Sequence, residues 1–210
     1  KRTLLDTLGN VFQSIPDVNS VIDLFSGTSR VGHHLKGLGY QVHSNDLNSY
    51  AHALATCYVA ANLTDYSDSI PQLLKEMNSL EPTDGYFTQT FCRDSRFFQP
   101  QNGMKVDAMR EWIETQNFDW ELKSILMVSL MEAADRVDST CGVQMAYLKQ
   151  WAKRSFKDLE LRVPNLQLKS KYGKSTATQS DALEAAKHLS ADAAYLDPPY
   201  NQHKYRGNYH

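Results

Sequence analysis

Apolar residues near the start of the chain follow two alternating patterns. Residues 18–25 and 40–45 are short, β-branched apolar runs of the kind that forms buried strands. Between them, apolar residues recur every three or four positions from Val31 to Leu38, which predicts a helix. The alanine-rich stretch 49–63 predicts a second helix. This strand–helix–strand–helix order favours an α/β fold with a parallel sheet.

The middle of the chain has helical periodicity over much of its length. Apolar side chains repeat at helical spacing in the stretches 106–113 and 122–130, and residues from about 65 to 157 are predicted to be mostly helical. A segment with prolines and glycines, residues 81–103, is predicted to be a loop. We interpret the apolar residues of both repeats as core.

Alternation of helix and strand returns near the carboxyl end. Residues 181–189 predict a short helix, and residues 191–196 predict a strand that leads directly into Asp197. The three regions therefore predict an α/β domain that is interrupted by a helical segment.

The domain organisation follows from these patterns. We predict one α/β domain formed by residues 1–64 and 171–210, with a largely helical insertion formed by residues 65–170. The 210 residues, 41% hydrophobic and 22% charged, have the composition of a globular protein. The chain begins at Lys1 rather than at a methionine, so we expect it to come from a longer protein.

Cysteine and histidine usage argues against a disulfide framework or a metal site. Cys57, Cys92 and Cys141 are odd in number, far apart and without a CxxC pair, and the seven histidines lack metal-ligand spacing. We therefore predict no metal and a reducing, cytoplasmic compartment. No apolar run approaches the roughly 18 residues of a membrane span, so no membrane partner is predicted.

Basic residues are concentrated in one stretch although the formal net charge is −2. Residues 149–174 carry eight basic and two acidic side chains, so eight minus two gives a local excess of six positive charges. One interpretation is a solvated charged surface, as in most charge runs. The other is a face that contacts phosphates. The candidate DNA-binding residues in the second interpretation are Lys149, Lys153, Arg154 and Lys157.

A glycine-containing turn lies where the first predicted strand passes into the first helix. Phe25, Ser26 and Gly27 form this turn, and Asp46 ends the second strand. The arrangement suits a ribose-bearing cofactor, because glycine lets the backbone approach closely and the carboxylate can accept the ribose hydroxyls. Ser29 stands where a dinucleotide fingerprint needs glycine beside a pyrophosphate, which favours S-adenosylmethionine over NAD. A simple tight strand-to-helix turn stays open as an alternative.

The tetrapeptide Asp197-Pro198-Pro199-Tyr200 follows the last predicted strand, where open α/β sheets bind their ligands. A carboxylate and the Pro198 carbonyl can each accept one N–H of an adenine amino group, whose lone pair is otherwise delocalised into the ring. Two acceptors would also stabilise the positive charge that grows during methyl transfer. Consecutive prolines stiffen the turn, and Tyr200 offers a face for base stacking. The alternative is a proline-rich turn without function.

With both motifs present, the chain resembles the adenine-N6 DNA methyltransferases of restriction–modification systems. It is similar to the subclass with the cofactor motif first, target recognition in the middle and the Asp-Pro-Pro-Tyr motif last, and the resemblance covers nearly the whole chain. The resemblance implies a Rossmann-like methyltransferase sheet, incomplete at the carboxyl end, and S-adenosylmethionine as the cofactor. It further implies double-stranded DNA as the substrate, and it allows a cognate restriction endonuclease as a partner.

The resemblance also implies residue roles. Asp197, Pro198, Pro199 and Tyr200 would form the catalytic motif. Asp46 would bind the ribose and Asp181 the adenine of the cofactor. The full set of implied cofactor-binding residues is Lys1, Asp23, Phe25, Ser26, Gly27, Asp46 and Asp181. The chain departs from the family pattern at Ser29, where the family usually has glycine.

Three alternatives stay open at this point. An RNA methyltransferase that acts on a base amino group could carry a similar tetrapeptide, although the long insertion favours DNA. Cytosine-N4 enzymes more often have serine first and tryptophan last in this motif. A DNA-binding relative that has lost catalysis would keep the same scaffold.

Overall fold

The computed structural model describes residues 2–141 and 146–199, which form two compact units. The sheet unit comprises the described residues up to 67, residues 120–125 and the residues from 164 onward. The helical unit comprises residues 68–119 and the described residues of 126–163. The segment 120–125 belongs to the sheet unit, which helical periodicity alone did not indicate. The assignment of the insertion to DNA recognition stays a prediction.

Within the described residues, a parallel four-stranded sheet organises the sheet unit. Its strands are β1 (Ser20–Asp23), β2 (Gln41–Asp46), β3 (Thr176–Gln179) and β4 (Ala193–Tyr195), in the order β3-β2-β1-β4. Val21 of the central strand β1 pairs with Val42 on one side and Ala193 on the other. The prediction of an α/β fold with a parallel sheet is therefore confirmed.

Helices make up most of the remaining described structure. In chain order they are α1 (Leu5–Ser14), α2 (Arg30–Gly37), α3 (Ser49–Ala55), α4 (Leu63–Tyr66), α5 (Ser69–Asn78), α6 (Tyr86–Thr88), α7 (Pro100–Thr115), α8 (Trp120–Asp135) and α9 (Ala182–His188). The π-helical turns Thr56–Ala60 and Gln89–Arg93 continue α3 and α6, and Arg2–Leu4 and Lys153–Phe156 are 3₁₀ turns.

The core of the sheet unit packs α1 and α2 against the central strands. Leu35 of α2 is fully buried with Val21 and Val42, and Phe12 of α1 belongs to the same cluster. Truncating a leucine buried in this way to alanine typically costs about 2–5 kcal/mol. This packing places the start of α2 at the carboxyl end of β1, where the glycine-containing turn lies.

Lys36 is a buried cation on the face of α2 away from solvent. Its Nζ donates to the carbonyls of Val59 and Ala61 at 2.8 and 2.5 Å and to Oδ1 of Asn62 at 3.1 Å. Burial lowers the pKa of Lys36 to about 8. The ammonium group satisfies carbonyls at the end of a helix that have no partner within the helix.

The helical unit is organised around Asp107 of α7. Its carboxylate accepts the backbone amides of Gly85, Phe87 and Thr88 at 3.1, 2.9 and 2.8 Å, together with the Thr88 hydroxyl. These bonds satisfy the donors at the start of α6, which have no partner within the helix. The contact explains why α6 forms within a segment whose glycines and prolines predicted only a loop.

Two sequence-based expectations for secondary structure were wrong, and one strand was not predicted. Residues 81–103 contain α6, its π-helical continuation and the start of α7, because long-range contacts such as those of Asp107 override the local composition. Helix was expected as far as residue 157, but α8 ends at Asp135 and the described residues of 136–152 are not helical. Strand β3 lies in the polar stretch 170–180, which has no apolar pattern.

Candidate active site at the carboxyl edge of the sheet

The turns that carry the two predicted motifs lie next to each other. Strands β1 and β4 are adjacent and parallel, with Asp23 beside Tyr195 in the register, so the residues that follow them leave the sheet at the same edge. The amide of Leu24 donates to the Tyr195 carbonyl at 3.3 Å. Residues 25–27 and residues 197–199 therefore follow neighbouring strands at one edge of the sheet.

The predicted catalytic motif begins two residues after β4. Asp197 is partly buried, and Pro198 and Pro199 are exposed. Tyr200 lies outside the described residues, as does Lys1 at the other end of the chain. Residues 197–199, the arm, thus present the predicted acceptors at the edge where open α/β sheets bind ligands.

The turn formed by Phe25, Ser26 and Gly27 is held against the end of β2. The Ser26 amide donates to the Asn45 carbonyl at 2.9 Å, and the Gly27 amide donates to Oδ2 of Asp46 at 2.9 Å. Gly27 has a φ of +53°, the left-handed region that favours glycine. A Cβ added there would meet no protein atom within 4 Å, so open space lies beside this backbone.

Asp46 is oriented by three hydrogen bonds before any ligand binds. Oδ1 accepts the backbone amide and the side-chain amide of Asn48 at 2.9 and 3.0 Å, and Oδ2 accepts the Gly27 amide. A carboxylate offers about four acceptor positions. Oδ2 therefore has capacity for a further donor such as a ribose hydroxyl.

The side chain of Asp23 is buried and contacts α2 rather than the open edge of the sheet. It is 1% exposed, and its Oδ2 accepts the backbone amide of Gly32 at 3.2 Å. This bond ties the first turn of α2 to the end of β1. The hydrogen bond to Gly32 holds α2 next to the turn. A cofactor-binding role for Asp23 stays a prediction.

Ser29, which stands where the family usually has glycine, adopts a backbone conformation that favours glycine. It precedes α2 with a φ of 57° and a ψ of 17°, and it is fully buried. A residue other than glycine in this left-handed conformation costs on the order of 1–3 kcal/mol. Glycine at this position would adopt the same turn without strain.

Asp181 acts as the N-cap of α9. Its Oδ1 accepts the backbone amides of Leu183 and Glu184 at 2.8 and 3.4 Å. The helix follows β3, whose last residue, Gln179, pairs with Asp46 in the register. Asp181 and Asp46 therefore follow neighbouring strands at the same edge.

Three exposed leucines at this edge were missed by the sequence analysis. Leu47, Leu183 and Leu196 are 65%, 77% and 60% exposed. Each lies within two residues of a predicted site acid, namely Asp46, Asp181 or Asp197. Apolar side chains left in solvent beside candidate ligand-binding groups suggest an apolar ligand surface. The signal in the sequence is an apolar residue next to each edge carboxylate.

The whole chain, residues 1–210, matches the family described as D12 class N6 adenine-specific DNA methyltransferase. The chain belongs to this family. The Type II methyltransferase M.NlaIII of Neisseria lactamica is 34% identical over 196 residues, which cover 90% of this chain and 58% of that protein.

Two further relatives of this D12-class chain are modification enzymes by name. The modification methylase StsI of Streptococcus sanguinis is 32% identical over 90% of the chain and 31% of its own length. The Type II methyltransferase M.CviAII of Paramecium bursaria Chlorella virus 1 is 31% identical over 89% of the chain and 57% of its own length. The chain thus spans 31% to 58% of these three relatives.

The basic residues predicted to contact DNA in this D12-class chain differ in their surroundings. Arg154 is held within the helical unit, because its Nε donates to the carbonyl and Oδ1 of Asp138 at 2.9 and 2.7 Å and its Nη2 donates to the Thr140 carbonyl at 3.1 Å. Asp138 is 3% exposed. All four residues are exposed to solvent, so the pairing with Asp138 is what distinguishes Arg154 from Lys149, Lys153 and Lys157.

Aromatic side chains accompany this basic segment of the helical unit. The guanidinium of Arg96 lies 4.9 Å from the centre of the Trp151 ring, and its Nη1 donates to the Lys149 carbonyl at 3.1 Å. Tyr147 is 45% exposed and packs edge-on against Phe97. Basic and aromatic groups side by side are typical of nucleic-acid surfaces. Arg96 and Trp151 are far apart in sequence, so their pairing had no sequence signal.

Within the described residues of this D12-class chain, we considered a thiol nucleophile, a metal site and a membrane-spanning helix. Burial raises the pKa of the Cys92 thiol to about 12, so it is not a thiolate nucleophile at neutral pH. Across residues 2–141 and 146–199, no group of three or more potential metal ligands is found. In the same residues, no helix combines the length and apolar character needed to cross a bilayer.

Proposed function

We propose that this chain provides the cofactor site and the catalytic motif of an enzyme that methylates the N6 amino group of adenine in DNA. The observation that carries the proposal is the backbone contact between Leu24 and Tyr195, which places the 25–27 turn beside the arm that bears Asp197. Family membership is consistent with the same chemistry.

The residues at the edge fit S-adenosylmethionine. The open space beside Gly27 leaves room for a ligand, and Asp46 is oriented to accept a ribose hydroxyl. The exposed Leu47 and Leu183 offer apolar surface for an adenine ring, and Asp181 lies at the start of α9 beside them. When bound, this cofactor supplies a methyl group activated by its positively charged sulfur.

Asp197 and the Pro198 carbonyl would hold the target amino group. Each would accept one N–H, which localises the nitrogen lone pair and stabilises the positive charge that develops as the nitrogen–methyl bond forms. The sulfur–methyl bond would break at the same time and leave S-adenosylhomocysteine, and the methylated nitrogen would then release one proton to solvent. The two prolines restrict the backbone so that the carbonyl keeps its direction. Tyr200, which lies outside the described residues, would stack on the base.

The target base has to leave the DNA stack to reach this arm, because the amino group is inaccessible inside a duplex. Flipping a base costs a few kcal/mol, which contacts to the flanking duplex must offset. We propose that the exposed lysines of residues 149–157 and the neighbouring aromatic residues of the helical unit supply such contacts. A cognate restriction endonuclease as a partner and a cytoplasmic location complete the proposal.

A methyl-transfer assay with labelled cofactor tests the proposal in the full-length protein. Asp197→Ala should keep the affinity for S-adenosylhomocysteine, the demethylated cofactor, and lose turnover by on the order of 100-fold or more, as expected for one lost transition-state contact. Asp6→Ala, which removes an exposed carboxylate from α1, is the matched control and should behave as the wild type.

The choice of nucleic acid is tested in the same assay. Duplex DNA with adenine sites should be methylated, and RNA of the same sequence should not. Efficient methylation of RNA alone would favour the RNA alternative. Near-normal turnover in Asp197→Ala would contradict the assigned chemistry whatever the substrate.

A further inference from the structure

We infer that Asn45 is a positioning residue that sets the relative placement of three parts of the cofactor site. The inference rests on the cofactor site proposed above. Asn45 is 1% exposed and lies at the carboxyl end of β2. A buried amide at this place is not needed for strand formation, since asparagine is unfavourable in strands.

The side chain and backbone of Asn45 reach two neighbouring segments, which contain residues 24–26 and residue 180. Its Nδ2 donates to the Ser180 carbonyl at 3.1 Å and to the Leu24 carbonyl at 3.4 Å. Its own carbonyl accepts the Ser26 amide at 2.9 Å. Leu24 lies 21 positions from Asn45 in the chain and Ser180 lies 135 positions from it, so one side chain joins segments that are distant in sequence.

Each of these contacts lies next to a predicted cofactor residue. Leu24 immediately precedes Phe25, and Ser180 immediately precedes Asp181. Asn45 itself immediately precedes Asp46. A shift of the amide would therefore move the methionine side, the ribose acid and the adenine side of the site relative to one another. Binding to a preorganised site is stronger because less order has to be imposed on binding.

Thr178 fixes the orientation of this amide. It is the register partner of Asn45 across β2 and β3, and its hydroxyl donates to Oδ1 of Asn45 at 2.9 Å. With the oxygen held by a donor, the NH₂ group must face the two carbonyls. Asn45→Asp would place a negatively charged oxygen against those carbonyls, and the amide hydrogen bonds would be lost.

Calorimetric binding of S-adenosylhomocysteine to the full-length protein provides the test. Asn45→Asp should bind at least about tenfold more weakly than the wild type. Thr178→Val, which keeps the shape of threonine and removes the hydroxyl, should weaken binding by about threefold to tenfold. Thr178→Ser restores the donor and should return the affinity to the wild-type value.

Asn62→Ala is the matched control for loss of a buried asparagine. Asn62 is also 1% exposed and bonds to Lys36 and Asp65, away from the three parts of the cofactor site. Its replacement should lower the unfolding temperature and leave the affinity of the folded protein unchanged. This control separates a general loss of stability from a loss of positioning.

Hydrogen exchange without ligand gives a second readout that does not depend on turnover. The amides of Ser26 and Gly27 should exchange faster in Thr178→Val than in Thr178→Ser, because the turn is then less restrained. Equal affinity and equal exchange in these two variants would overturn the inference. If the wild type itself does not bind S-adenosylhomocysteine, the proposed cofactor site is wrong and the inference falls with it.

Discussion

Gly32 of α2 packs tightly against side chains of β1, β2 and the π-helical turn Thr56–Ala60. A Cβ at this position would lie 2.9 Å from Oγ of Ser44, 3.0 Å from Cγ2 of Val59 and 3.3 Å from Oδ2 of Asp23. Gly32→Ala should therefore lower the free energy of unfolding by about 1–3 kcal/mol, the usual cost of overpacking a core. Equilibrium denaturation by urea measures the change.

Gly37, at the other end of the same helix, is the matched control. A Cβ there would lie 3.5 Å from the side chain of Gln167, an ordinary van der Waals distance. Gly37→Ala should leave stability unchanged or raise it by up to roughly 1 kcal/mol, since alanine favours helix. Equal losses in both variants would show that packing against β1 and β2 is not what requires Gly32.

Individual site residues differ in how well the sequence predicts them. Asp46 and Asp197 end predicted strands, so their placement at one edge follows from the parallel order of the sheet. The left-handed conformation of Ser29 has no local signal and was seen first in the structure. The hydrogen bonds of Asn45 depend on its pairing with Thr178 in the register of β2 and β3. This pairing cannot be predicted from the sequence, because the two residues are far apart in the chain.

At the level of single elements, Asp192 holds the start of β4 against β1. Its Oδ2 accepts the amide of Asn19 at 2.9 Å and both the amide and the hydroxyl of Ser20 at 2.8 Å. The amide of Asn19, followed by the two Ser20 donors, lowers the pKa of Asp192. The contact fixes the amino end of the strand that precedes the predicted catalytic motif.

The lowered pKa determines how the contribution of Asp192 changes with pH. The stabilisation is fully present above the unfolded-state pKa of about 3.9 and is lost as the pH falls through the lower folded-state value. Asp192→Ala should therefore unfold at a lower temperature than the wild type near pH 7, and the difference should shrink below about pH 4. Thermal unfolding from pH 7 to pH 3 measures this, with Asp6→Ala as the control. A difference that grows on acidification would contradict the assignment.

Elements with a buried face could be predicted from the sequence, whereas elements defined by polar contacts could not. Strands β1 and β2 and helix α2 carry apolar residues at the right period and appear where expected. Strand β3 has the sequence Thr-Ala-Thr-Gln and no fully buried residue, so periodicity gives no signal. It pairs with β2 through its backbone and through side chains such as Thr178.

For the whole molecule, the distribution of charge matters more than its sum. A chain with a formal net charge of −2 has no general attraction for DNA, so binding would depend on a local cluster of cations. The sequence predicts such a cluster in the basic run 149–174, but it could not show which of these cations are paired within the protein. Arg154, Lys153 and Lys157 are all exposed, but Arg154 is also bonded to Asp138.

Salt dependence of duplex binding distinguishes these cations. Each lysine that neutralises a phosphate contributes about 0.9 to the slope of log K against log salt, because a condensed counterion is released. Lys153→Gln combined with Lys157→Gln should therefore make the slope shallower by about two units at most. Arg154→Gln should change the slope by clearly less than one unit, because Asp138 already compensates its charge, and should lower the unfolding temperature.

Fluorescence anisotropy in the full-length protein between roughly 50 and 200 mM salt covers the useful range. Lys75→Gln, an exposed lysine of α5 in the same unit, is the control and should leave the slope unchanged. A larger slope change for Arg154→Gln than for the two lysines would show that the arginine leaves Asp138 to contact DNA, and binding that is insensitive to salt would mean that the basic segment is a solvated surface.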